Sequence, residues 1–106
     1  MIVVTSETIA KKKIVRTIGL VRGNTVRARH IGKDILAGLR NIVGGEVHEY
    51  AKLVAESREQ SLDRMAKEAA ELGANAVIAT RFTTSVLMGG AAELLAIGTA
   101  VVIKDE

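Results

Sequence analysis

Apolar residues change their period several times along this chain, and each change marks an element. Ile2 to Thr5 is a short β-rich run, followed by a polar connection from Glu7 to Lys13. From Ile14 to Ala28 the apolar positions fall on both parities. Ile14, Ile18 and Leu20 are on one, Val15, Gly19 and Val21 on the other, which predicts a long strand partly buried on both faces. Gly23-Asn24 fits either a hairpin turn or a bend within one strand. Ile31, Ile35, Leu36, Leu39, Ile42 and Val43 then recur at helical spacing. Asp34 near the start and Arg40 near the end suit the helix dipole, so a short amphipathic helix is expected there. Gly44-Gly45 ends it, because glycine readily adopts the left-handed backbone that closes a helix.

A second, longer helix is predicted from Glu46 to Leu72. Glu46 and Glu49 are in its first turn, and Tyr50, Ala51, Val54, Leu62, Met65, Ala69 and Leu72 form its apolar stripe. At 1.5 Å per residue it would run about 40 Å, across the whole width of a domain this small. Arg58, Gln60 and Ser61 interrupt the stripe and are expected to mark where the helix leaves its own sheet. Asn75 to Val86 and Glu93 to Lys104 read as strands joined by a glycine-centred hairpin, Leu87 to Ala92. Leu94 to Ile103 is apolar on both faces, which places that last strand in the middle of a sheet. The expected fold is therefore a single α+β domain over residues 1–106. Its order is β-β-α-α-β-β, with a small, largely antiparallel sheet carrying a short helix and a long helix on one face.

Composition sharpens this in two ways. Hydrophobic residues make up 48% of the 106, yet the aromatics are only Tyr50 and Phe82. The core must therefore be built from small aliphatic side chains, and a chain of this length cannot cover both a long helix and a two-faced apolar strand. Self-association is the expected outlet. Charge is divided unevenly, with nine Lys/Arg against two acids in residues 1–45 and six against ten in residues 46–106. A basic half of one protomer can thus face an acidic half of its neighbour. Specific nucleic-acid binding is not expected, because single-strand readers add aromatic stacking platforms that this chain lacks. No apolar run approaches the roughly 20 residues of a membrane span and no signal-peptide pattern opens the chain, so a cytoplasmic protein is expected.

Candidate chemistry is sparse. The absence of cysteine excludes a disulfide framework, a thiol nucleophile and a thiolate site for soft metals. His30 and Asp34 would share a helix face at i, i+4, and Glu46, His48 and Glu49 cluster at the start of the long helix; His30, Asp34 and His48 are the weak metal candidates. The metalloprotease motif fails because Lys52, not histidine, stands four residues after His48. Phosphate-loop, dinucleotide and nucleophile-elbow patterns are missing. Glu93, heading an apolar strand, is expected at an edge or loop rather than buried. No cofactor is expected. The residues lean away from an enzyme.

Arg40-Asn41-Ile42-Val43-Gly44-Gly45, the long charged helix with Tyr50, Leu72-Gly73-Ala74-Asn75-Ala76-Val77 and the closing Gly98-Thr99-Ala100-Val101 together resemble the YbjQ family over nearly the whole chain. That resemblance implies a dodecin-subunit-like α+β fold and a pentameric homo-oligomeric ring. It also brings a family label of heavy-metal binding. The function it implies is a structural or binding ring holding a small ligand or metal ion in its pore or between subunits. The alternative is an enzyme whose active site a neighbouring protomer completes.

Overall fold

The computed structural model describes residues 1–27, 47–86 and 92–106. In chain order they form β1 (Ile2–Val3), β2 (Lys12–Arg27), α1 (Val47–Glu71), β3 (Ala76–Val86) and β4 (Ala92–Asp105). The predicted short helix around residues 31–43 lies outside the described residues, so α1 is the long helix of the sequence reading. The four strands make one sheet in the order β1-β3-β4-β2. β4 pairs antiparallel with both β3 and β2, while β1 runs parallel to β3, so the sheet is mixed. As its two-faced apolar pattern required, β4 is central.

Of the two readings of Gly23-Asn24, the hairpin turn fails and the single long strand holds. β2 runs unbroken through both residues, with Gly23 opposite Ala96 and Asn24 opposite Leu95. The reason for the glycine is close packing, since a Cβ on Gly23 would lie 2.2 Å from the Ser61 carbonyl oxygen and 2.4 Å from the Met65 nitrogen. Helix and strand meet there backbone to backbone. The irregularities of β2 fall earlier, between Ile14 and Arg16 and between Thr17 and Gly19.

α1 lies antiparallel to β2, bringing Ser57 to Thr25 and Glu68 to Arg22. Its buried residues, Ser57, Ser61, Met65 and Ala69, recur every fourth position. They cover Val21, Gly23 and Thr25 of β2, Val77 of β3, and Leu94, Ala96, Gly98 and Ala100 of β4. Leu72, assigned to the apolar stripe from sequence, is half exposed. The helix ends in a reciprocal cap, with Gly73 N–H donating to Ala70 O and Ala74 N–H to Ala69 O, and Gly73 at φ 92°. The Asn75 side chain then acts as a surrogate strand residue. Its Nδ2 donates to Ile103 O at 2.9 Å and its Oδ1 accepts from Ile103 N–H at 2.7 Å. This explains the Gly-Ala-Asn-Ala-Val run: cap, turn and strand register within five residues.

β3 carries a bulge between Ile78 and Arg81, where Ala79 takes φ 53°. The bulge reverses side-chain parity, so Val77 before it and Phe82 after it point to the helix side. On the opposite face, Ile9 packs on Ala76, Val101 and Ile103, covering the end of the sheet near Lys12.

Candidate functional site

The metal candidates are not assembled. His30, Asp34 and Glu46 lie outside the described residues. His48 and Glu49 sit in the first turn of α1, as predicted, but their side chains are outside the description too. Among the described residues no group of three or more His, Asp or Glu could hold a metal ion. With no cysteine in the chain, the described donors do not fit a soft-metal centre.

Polar side chains do converge at one internal point that the sequence reading missed. Ser61 Oγ donates to Leu94 O at 3.0 Å, and the single proton of Thr25 Oγ1 goes to Ser61 Oγ at 2.8 Å, with Ser57 O at 3.2 Å as its alternative acceptor. Thr25, Ser57 and Ser61 are all buried. Ser61 therefore does not mark a departure of helix from sheet, since it is fully buried between them and packs against Gly23. The signal was present in the spacing of Ser57, Ser61, Met65 and Ala69, where two serines continue the buried stripe in phase. Satisfied hydroxyls cost little in a core, so the network holds helix, edge strand and central strand together. Thr80 Oγ1 is also buried and has no hydrogen-bond partner among the described residues.

Among the described residues, the surface that remains uncovered is the sheet face away from the helix, beyond the reach of Ile9. Four rows cross it: Leu20, Thr99 and Ile78; Arg22, Ile97 and Arg81; Asn24, Leu95 and Thr83; Val26, Glu93 and Ser85. Leu20 is 64% exposed and Val26 51%, and Leu95 and Ile97 are only partly buried on the central strand. Arg81 is held at one side by donating to Thr5 O and Thr80 O, both at 2.8 Å. Glu93, the second residue of β4, is partly buried and accepts from Asn24 Nδ2 at 3.2 Å. Apolar centre, polar flanks and two arginines suit contact with another surface.

A family model described as "Putative heavy-metal-binding" matches residues 1–104. Curated relatives are UPF0145 proteins. That of Archaeoglobus fulgidus is 56% identical over 104 residues, covering 98% of this chain and 96% of the relative. The Methanosarcina acetivorans protein is 53% identical over 105 residues, covering 99% of each, and the Thermococcus kodakarensis protein 55% over 106, covering all of this chain and 94% of the relative. In three dimensions the chain is similar to a protein with unknown function of the DUF74 family from Pediococcus pentosaceus. The TM-score is 0.65 with 98% of both chains covered, and at 15% identity that likeness concerns the fold. No described helix is long and apolar enough to cross a membrane.

Proposed function

As this chain belongs to the YbjQ family, we propose that it works as a closed homo-oligomeric ring, pentameric in line with the resemblance, that holds a small ligand between subunits. The observation that carries the reading is apolar area left exposed on a described sheet face, with Leu20 64% and Val26 51% exposed. Leu20, Val26, Leu95 and Ile97 supply apolar area on the open face for a contact between subunits.

A ring is preferred to an open chain because head-to-tail contacts that close leave no surplus surface at either end. Clefts between subunits are where a ligand would sit, since pockets favour the seams between packed units. Sedimentation equilibrium tests the assembly, and a folded monomer at micromolar concentration would sink it. Native mass spectrometry of protein purified from cells tests the ligand part. A ring carrying no bound small molecule leaves a structural ring and removes the ligand from the proposal.

A further inference from the structure

Strand edges expose unpaired backbone groups, and proteins ordinarily guard them with charge, bulges or cover. β2 has all three. Lys13 and Arg16 lie along it, two register shifts break its first half, Glu68 accepts the outward N–H of Arg22 at 3.3 Å, and the Arg64 guanidinium donates to Asn24 O. The first half of β3 is covered by the N-terminal segment. Val4 N–H donates to Val77 O, Ala79 N–H to Ser6 O and Thr80 N–H to Val4 O, at 2.9 to 3.1 Å. This ladder stops at Thr80. Beyond it, among the described residues, nothing pairs with the outer edge of β3.

Among the described residues that stretch is unguarded. From Arg81 to Val86 the register with β4 is unbroken, and residues 82–86 contain no charge and no proline. Phe82, Thr83, Thr84 and Ser85 are all exposed, Phe82 by 41%. We propose that this edge is a docking strand for a second copy of the chain, the two β3 edges pairing antiparallel about a two-fold axis at Thr84.

The sequence is complementary to itself in that register. Phe82 falls opposite Val86, Thr83 opposite Ser85 and Thr84 opposite its own copy. Aromatic with β-branched, and hydroxyl with hydroxyl, are the pair types that stabilise neighbouring strands. The nearest charge, Arg81, lies at the end of the stretch with its guanidinium turned onto Thr5 O and Thr80 O. Thr80 N–H points outward, so by alternation that of Thr84 does too, which makes the two Thr84 residues a hydrogen-bonded pair with Cα atoms about 5.5 Å apart. The contact is isologous and closes as a pair. It is distinct from the head-to-tail contacts of a ring, and would join two rings if both form.

The natural chain has no cysteine, so one introduced residue reports one contact. About 5.5 Å between Cα atoms is within the range a disulfide spans. Thr84→Cys should convert to a covalent dimer under mild oxidation, reversed by reductant. Thr83→Cys should not, because its own copy lies two residues out of register and beyond reach. Thr84→Lys places like charges opposite each other. It should halve the sedimenting mass while circular dichroism stays unchanged. No dimer from Thr84→Cys, equal dimer from both cysteine variants, or a Thr84→Lys protein that sediments like wild type would each overturn the proposal. A wild-type ring that fails the cysteine test sinks the β3 contact alone, and a lone dimer that passes it sinks the ring.

Discussion

Single residues at the helix–sheet seam give the sharpest expectations. Gly23→Ala would push a methyl against the backbone of Ser61 and Met65, which cannot move without shifting the whole helix. Overpacking of this kind costs about 1–3 kcal/mol and sometimes more. Denaturant unfolding should show a lowered midpoint for Gly23→Ala, and an unchanged one would mean that helix and strand are not in backbone contact. Two buried hydroxyls should behave in opposite ways. Ser61→Ala removes one partner from Thr25 and one from the Leu94 carbonyl, a loss of about 1–3 kcal/mol. Thr80→Val removes a hydroxyl that has no partner among the described residues, so it should be neutral or stabilising. The histidines belong to this scale as well. With two imidazoles and no thiolate, the protein should not bind zinc, copper or cadmium tightly. Titration calorimetry checks this, and sub-micromolar stoichiometric binding lost in His30→Ala or His48→Ala would vindicate the heavy-metal label.

Elements are held by what meets at their ends. The Lys12 ammonium hydrogen-bonds Asp105 and attracts it through space, joining the start of β2 to the end of β4 and holding the carboxyl below the usual carboxylate range. A depressed folded-state value means the contribution is present at neutral pH. It disappears as pH falls through that value. Asp105 is fully exposed, so the effect on stability should be small. Lys12→Met should return the Asp105 titration, followed by NMR, toward its ordinary range. No movement would show that the pair does not persist in solution. Along the helix, Met65 is fully buried at the centre of the core, and Met65→Ala should cost about 2–5 kcal/mol. Much of this element scale was legible in the sequence, because Met65 and Ala69 repeat at helical period and Gly73 is placed to end the helix. The bulge at Ala79 was not. A bulge follows from how Ile78 and Arg81 meet β4, and local spacing carries no mark of it.

At the scale of the whole molecule, the proposed assembly leans on the exposed Leu20 and Val26 of the sheet face away from the helix. Leu20→Lys or Val26→Lys would place a charge on the open sheet face. Either should dissociate the assembly in sedimentation while leaving the monomer folded, since neither side chain contributes to the buried core. If the assembly is unchanged in both, the open face is not the contact. Any interaction with nucleic acid should be sequence-blind and fade at moderate salt, because Lys and Arg contacts to phosphate act by releasing counterions.

By itself the sequence determined the long helix, the extent of the strands and the central place of β4, because apolar period and glycine placement act over short range. Tertiary structure decided what no local pattern holds. Gly23 proved to be a point of backbone contact because Ser61 and Met65, far along the chain, arrive there. Ser61 proved to be core because Thr25 and the Leu94 carbonyl satisfy its hydroxyl. The unguarded edge of β3 exists because the N-terminal ladder stops at Thr80 and leaves the rest of the strand unpaired among the described residues. The physical reason is common to all three: a hydrogen bond, a close approach or a free edge depends on which distant segment lies alongside, and only the folded chain fixes that.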